Sequence, residues 1–396
     1  MRRVAILGPM PAGGAVGGVA IHTDRLAAYL ALDGREITVL SDSHLESWHA
    51  DETADALAPA IIGVRGASAG RLLALAARRP GSALAAATRA LGAHERRALG
   101  IPLATALSRS VLVGAAVAGS RAEVLHVQQA DFRPLYADWA GACLPRVITV
   151  HGLGGLETGE YPALRDVVPA NLAAADAIVT PSRALADEVG ALGVPLERVR
   201  VIPNGVDHDV FFPRDRDECR ATLGLDAHAP LAVYVGRVTA HKGAGDLIAA
   251  WRTVHDAMPT ATLALAGPVA PDVDPAVPGV RTVGTVPHEH AALWMGAADV
   301  IAVPSRYEGF GLSALEAMAS GRAVVAARVG GLAEIVTEHA GALVPPSDPD
   351  ALAEALLRFL GDRRAADVSG AHGVRVASAY TWHAAAAAYG SLYDAL

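Results

Sequence analysis

The sequence predicts an α/β protein built from two doubly wound, Rossmann-like parallel-sheet domains facing each other across a cleft. Three observations carry this. Short β-branched runs alternate with longer Ala/Leu-rich helical stretches. Apolar runs of that length, separated by helices, belong to a parallel sheet covered on both faces. The alternation also fills two comparable halves, which meet at the loop signature Ile202-Pro203-Asn204-Gly205-Val206-Asp207.

The strand runs of the first half are Val4–Leu7, Ile37–Leu40, Val124–Val127, Val147–Val150, Ile178–Val179 and Val199–Ile202. Those of the second half are Leu231–Val235, Thr262–Ala266, Arg281–Val283, Val300–Val303, Ala323–Ala326 and Ala342–Val344. Most are bounded by Gly, Pro, Asn or Ser. The expected domains are residues 1–205 and 206–381, with the helical pattern of 382–396 crossing back to the first. Residues 66–122 depart from the alternation. They are rich in Ala, Leu and Arg, including Arg71, Arg78, Arg79, Arg89, Arg96, Arg97 and Arg109. They read as solvated helix faces packed on the first sheet, with peripheral membrane contact as the alternative.

A chain of 396 residues is long enough for two domains of ordinary size. With 52% hydrophobic and 19% charged residues, its composition is that of a globular protein. The net charge of −8 is uneven: residues 1–200 balance 19 Arg against 19 acids, whereas 201–396 carry 14 basic residues against 22 acidic. Neither half has the basic excess of a nucleic-acid binder. Cys143 and Cys219 fit no disulfide framework or metal spacing, and a reducing cytoplasm is the expected location. Met1-Arg2-Arg3 before Val4–Leu7 has the outline of a signal peptide, but Pro9, Pro11 and several glycines break the run. A buried first strand explains it better. No apolar run approaches the ~18 residues of a membrane span.

The most informative stretch is Glu308-Gly-Phe-Gly-Leu-Ser-Ala-Leu-Glu316, after the strand run that ends at Pro304. Strand, glycine turn and helix together aim backbone N–H groups at a phosphate. Carboxylates beside such a site suit sugar hydroxyls, which donate hydrogen bonds to them. Glu316 has a structural alternative, because Ser313 and Glu316 have capping-box spacing. Phe310 reads as packing rather than stacking. Arg237 and Lys242 follow the run Leu231–Val235, where a doubly wound sheet delivers ligand contacts. Lys242 is the only lysine among 33 basic residues, so its place hints at a phosphate-clamping point charge. The segment is not a P-loop: His241 replaces the second Gly, and Gly243 follows the Lys in place of Ser or Thr.

The first half offers Gly13-Gly14-Ala-Val-Gly17-Gly18 after its first strand, a loop that lets backbone approach a ligand but lacks the dinucleotide glycine spacing. His151 ends a strand run at the same carboxyl edge and is either a donor to phosphate or sugar, or a solvated loop residue. Asp207-His-Asp209 and Asp272-Val-Asp274 imitate a metal-binding Asp-x-Asp, but Arg237 and Lys242 make a metal unnecessary. No metal site and no cofactor are expected.

With these residues assembled, the chain resembles glycosyltransferase family 4, retaining enzymes of the GT-B fold. The matching segments are Gly17-Gly18, Thr149-Val-His151, Thr180-Pro-Ser-Arg183, Val201-Ile-Pro-Asn-Gly-Val-Asp207, Gly236-Arg237 with Lys242-Gly243, and Glu308 to Glu316. Gly330-Gly331, Glu334-Ile-Val336 and Gly341-Ala-Leu-Val344 continue the pattern. The resemblance implies that a nucleotide-sugar donor binds the second domain and an acceptor the first. Arg237 and Lys242 would hold the donor diphosphate and stabilise the leaving group. Glu316 would bind the ribose. Glu308 and the amides of Phe310, Gly311, Leu312 and Ser313 would hold the donor sugar and phosphate. His151 would reach the transferred sugar, and Gly17 and Gly18 would meet phosphate or acceptor. UDP-sugars are the first donors to expect and GDP-sugars the next, with a small-molecule, glycan or lipid hydroxyl as acceptor. Two other functions fit the same clamp: a GT-B nucleotide-sugar epimerase, and a non-catalytic sugar-nucleotide-binding partner protein. Oligomeric state is left open.

Overall fold

A computed structural model describes residues 1–10, 17–41, 60–63, 84, 87–91, 93, 96–97, 99–153, 156 and 164–396. The chain divides into two compact units, Met1–Pro203 with Trp382–Leu396, and Asn204–Thr381.

Among the described residues the first unit holds a seven-stranded sheet of β1 (Val4–Gly8), β2 (Ile37–Ser41), β3 (Ala60–Gly63), β4 (Val124–Gln128), β5 (Arg146–Thr149), β6 (Ala177–Thr180) and β7 (Val199–Val201). Its order is β3-β2-β1-β4-β5-β6-β7, and the pairings are parallel. The strand order reverses between β1 and β4, so a crevice opens beyond their carboxyl ends. Alternate residues of each strand feed two cores, as strand geometry requires. Val4 and Ile6 join one with Leu26, Leu30, Trp382 and Tyr389. Ala5 and Leu7 join the other with Val113, Val127 and Ile148. The helices are α1 (Gly18–Leu32), α2 (Leu103–Ser120), α3 (Arg133–Ala140), α4 (Leu164–Ala173) and α5 (Arg183–Ala191).

Two sequence expectations change here. β3 lies outside the strand runs read from the sequence. Among the described residues it is a four-residue edge strand paired with β2 alone, so it lacks the continuous apolar pattern of a central strand. α2 corrects the expectation on apolar length: by length and composition it could cross a membrane, with mean hydropathy 1.4 over 18 residues. Arg109 and its serines interrupt the apolar run, and the mean remains 1.4 with them included. Ala106, Leu112, Val113, Ala116 and Val117 are buried in the first-unit core, which accounts for the apolarity of that face. Of the Arg-rich segment, Arg71, Arg78 and Arg79 lie outside the described residues, as do Gly13 and Gly14.

The second unit carries β8 (Leu231–Val235), β9 (Thr262–Ala266), β10 (Val280–Gly284), β11 (Val300–Val303), β12 (Ala323–Ala327) and β13 (Gly341–Val344) in the order β10-β9-β8-β11-β12-β13. These pairings are also parallel, and the order reverses between β8 and β11. The covering helices are α6 (Arg216–Thr222), α7 (Ala244–Ala257), α8 (His288–Ala297), α9 (Leu312–Ala319), α10 (Leu332–Ile335), α11 (Pro349–Gly361) and α12 (Arg363–Ala377). Asp215, Asp348 and Asp362 cap α6, α11 and α12 by accepting backbone N–H bonds. The chain then returns to the first unit as α13 (Trp382–Ala395), which buries Trp382, Tyr389 and Tyr393. Its Asp394 forms a two-point ion pair with Arg35, at 2.9 and 2.6 Å.

Candidate functional site

In the second unit the loops after β8 and β11 are stitched together at the point where the strand order reverses. Lys242 Nζ donates to Glu308 Oε2 at 2.7 Å, and Ser305 Oγ donates to the same oxygen at 3.2 Å. Arg306 grips Asp246 of α7 through two bonds of 2.9 and 2.8 Å, and its backbone N–H donates to His241 O at 3.2 Å. Lys242 ends a single 3₁₀ turn, which Thr239 caps and Gly243 terminates at φ 73°. Gly243 must be glycine on two counts. That φ disfavours any L side chain, and an added Cβ would lie 1.9 Å from Pro304 O. The sequence therefore brings the two loops into backbone contact, which is what places the lone lysine beside the first glutamate.

Arg237 lies directly beyond β8 and is exposed. Its carbonyl accepts from Tyr234 Oη at 2.7 Å, and its guanidinium forms no ion pair among the described residues. Burial, then the negative charge of Glu308, push the Tyr234 phenol well above its ordinary range, so it stays a neutral donor.

Gly311, at φ 102°, is the N-cap of α9 and makes no side-chain cap bond. The amides of Leu312 and Ser313 are therefore orphan donors of the first helical turn, at its positive end. The helix starts too early for Ser313 to be its N-cap, so the capping-box alternative for Glu316 is not realised. Instead buried Glu316 faces His288 at the start of α8, with Oε1 3.2 Å from Nε2. Phe310 is buried in the core beneath the turn, as packing requires. The two Asp-x-Asp pairs form turns: Asp207 accepts from Asp209 N at 3.1 Å, and Asp274 from Ala276 N at 2.9 Å.

The first unit carries the other sequence-predicted residues. Gly17 and Gly18 are exposed at the start of α1, with Gly17 as N-cap and open space around a Cβ added there. His151, just past β5, is partly buried. Its Nε2 lies 2.7 Å from Gln128 Oε1, and its ring stands edge-on to His22 of α1 at 4.6 Å. Behind them lies a buried polar chain. Tyr393 Oη is 2.7 Å from His126 Nδ1, His126 Nε2 is 2.7 Å from Thr149 Oγ1, and that hydroxyl is 2.9 Å from Tyr389 Oη. Burial is the first cause that lowers all three histidines. It takes His126 and His151 down to about 3, with His151's charge adding to the first and Arg133's to the second. His22 is lowered well below its ordinary value by burial, then by His151 and His126.

This arrangement sets a pH dependence of stability. In the unfolded chain these rings gain protons near pH 6.5, while in the fold His126 and His151 stay neutral down to about 3. The unfolded state binds more protons across that window, so stability is intact above about 6.5 and is lost as pH falls toward about 3. Urea unfolding at stepped pH should show a loss of up to about 1.4 kcal/mol per pH unit for each such histidine. Equal stability at pH 7 and pH 5 would refute this.

Sequence reasoning missed His288, Tyr234, Ser305, Gln128, Gln129, His22 and His126. The signal available for Gln128-Gln129 was their place at the carboxyl end of a strand beside the order reversal.

Two families match the chain: one described as Glycosyltransferase Family 4 over residues 16–210, the other as Glycosyl transferases group 1 over residues 229–362. A protein of Xylanimonas cellulosilytica named D-inositol 3-phosphate glycosyltransferase is 37% identical over 63% of this chain and 66% of its own length. The chain spans about half to two thirds of the length of the curated relatives it matches. Sucrose-phosphate synthase from Thermosynechococcus elongatus shares the fold, with TM-score 0.79, 24% identity, and 99% and 98% of the two chains covered. Anabaena HepE, solved with UDP and glucose, gives 0.73 and 18%, with both chains covered in full.

Proposed function

The chain belongs to glycosyltransferase family 4, with the GT-B fold, and we propose that it transfers a sugar from a nucleoside-diphosphate sugar to a hydroxyl acceptor with retention at the anomeric carbon. The observation that carries this reading is the pairing of Lys242 with Glu308 beside the orphan amides of α9, at the carboxyl ends of β8 and β11. A lysine, a carboxylate and a helix N-terminus lie there, with Arg237 on the same loop as Lys242, and such a set suits a group that is part phosphate and part sugar.

In the proposed reaction Arg237 and Lys242 receive the diphosphate, and the amides of Leu312 and Ser313 take its remaining oxygens. Glu316, oriented by His288, accepts from the ribose hydroxyls. Glu308, already on Lys242, takes a hydroxyl of the donor sugar. The anomeric C–O bond to phosphate breaks as the acceptor oxygen attacks the same face, and the acceptor proton passes to the departing phosphate. Fixed cations that stabilise the leaving group lower the barrier, and no metal ion is needed for that charge. UDP is the first nucleotide to test, since HepE, which shares the fold, was solved with it. The name of the Xylanimonas relative makes an inositol phosphate the first acceptor.

Thermal unfolding in EDTA against UDP-, GDP-, ADP- and dTDP-sugars tests the donor side. One nucleotide series should stabilise the protein, by about 2.7 kcal/mol at a hundred times its Kd. Stabilisation that appears only with Mn²⁺ would overturn the metal-free mechanism. Incubating the stabilising donor, labelled in its sugar, with inositol phosphate should place label on the acceptor. Release of an epimerised sugar nucleotide, with no acceptor product, would identify an epimerase instead.

A further inference from the structure

Gln128 ends β4 where the strand order of the first sheet reverses, Gln129 follows it, and both turn toward His151. Gln128 Oε1 lies 2.7 Å from His151 Nε2, so that nitrogen carries the proton and donates. Gln129 acts on the main chain: its Oε1 accepts from His151 N at 2.9 Å, and its Nε2 donates to Gly152 O at 2.9 Å. Both polar groups of one side chain are thus spent on fixing the His151 loop. The backbone is strained to allow this. Gln129 has φ 110°, one of three non-glycine residues with positive φ among those described, and such strain persists only where its surroundings enforce it. The stem of Gln128 is pinned too, since a Cβ on Gly8 of β1 would come within 2.7 Å of its Cβ and Cγ. Behind it, Gln128 Nε2 is 3.5 Å from His126 Nε2, whose ring Tyr393 and Thr149 hold from α13 and β5.

We propose that Gln128 and Gln129 are positioning residues that lock His151 as its Nε2–H tautomer, leaving Nδ1 as a hydrogen-bond acceptor for a sugar hydroxyl at the carboxyl edge of the first sheet. The buried Tyr393–His126 pair, anchored by the last helix, backs this clamp. The role toward the sugar rests on the transferase reading; the tautomer does not. Among the described residues the titratable and charged groups that act on the His151 ring are His22 of α1, His126 of β4 and Arg133 of α3, the last paired with Asp131; Tyr389 and Tyr393 of α13 stand behind, against His22 and His126. Burial and the charge of Arg133, which act on His151, both disfavour the imidazolium, in which Nδ1 would become a donor.

The test follows the ring ¹³C and ¹⁵N shifts of histidine-labelled protein from pH 8 to pH 5. His151 should show the Nε2–H form throughout and not titrate. Gln128→Leu should release the ring into a mixture of tautomers. Gln128→Glu should bring its titration into this range, and UDP release from UDP-glucose with inositol phosphate should then fall as pH drops. An Nδ1–H form in the wild type, or unchanged His151 shifts in Gln128→Leu, overturns the proposal. Gln129→Gly separates positioning from folding, because it relieves the positive φ. The melting temperature should hold or rise while kcat falls about tenfold to a hundredfold, with KM for UDP-glucose little changed. Unchanged kcat, or a fall in melting temperature alongside it, overturns the role of Gln129. Ring shifts as expected in a wild type that transfers from no nucleotide sugar count against the transferase reading alone.

Discussion

Lys242→Ala should lower kcat/KM for the stabilising donor by about 10²–10³, the range found when one preorganised group that stabilises developing charge is removed. The stability of the fold should change little. The Lys242–Glu308 pair keeps 25% and 18% side-chain exposure, and ion pairs open to water contribute about 0–1 kcal/mol. The alternative is that Lys242 matters only by neutralising Glu308, and the double variant Lys242→Ala/Glu308→Gln separates the two. If neutralisation is the whole role, removing both charges restores transfer. If Lys242 meets the diphosphate, the double variant stays at least as impaired as Lys242→Ala, since the leaving group still lacks its cation. Restored transfer in the double variant, with unchanged donor affinity, would remove Lys242 from the mechanism.

Arg220→Ala should destabilise the second unit by about 3–5 kcal/mol, the cost of removing one partner from a buried ion pair. Arg220 is 2% exposed and its three donors reach Asp299 Oδ2 at 2.8 Å, Ala297 O at 2.9 Å and Ala227 O at 2.7 Å. Asp299 also accepts from Leu231 N at 2.8 Å, so one carboxylate ties the amino ends of β8 and β11 together. The variant would leave that carboxylate buried, with Arg216 Nε at 3.4 Å as its remaining cation. Urea unfolding checks the size of the effect, and a loss below about 1 kcal/mol would show that Arg216 compensates. Asp299→Asn in the Arg220→Ala background should recover part of the loss, because it removes the unpaired charge. These residues sit at the strand ends opposite the Lys242 loop, so transfer by the folded fraction should be nearly normal.

The two predictions act at opposite ends of the same two strands, and the sequence was unequally informative about them. Leu231–Val235, Thr262–Ala266 and Val300–Val303 read with their observed bounds, since a parallel strand buried on both faces is a continuous apolar run between turn residues. β3 did not, because a short edge strand needs neither the length nor the two-sided burial that makes such a run. Lys242 and Glu308 were legible as candidates because a lone lysine after one strand and a glutamate before a glycine turn are local patterns. Their 2.7 Å contact was not, since it spans 66 residues and depends on the approach of Gly243 to Pro304.

Glu316 shows the same boundary. Ser313 and Glu316 allowed either a helix cap or a ligand contact, and no local pattern could choose between them. The choice was made by the helix starting at Gly311 and by His288, which lies 28 residues earlier in the chain. By itself the amino-acid sequence determined the alternation of strands and helices, the loop positions, and the residue types carried at the carboxyl ends of the strands. These follow from periodicity and turn chemistry acting over a few residues. Tertiary structure alone decided which distant groups meet: Lys242 with Glu308, Glu316 with His288, and His151 with Gln128 and Gln129. Hydrogen bonds and ion pairs are set by ångström distances across strands, and composition along the chain does not encode those distances.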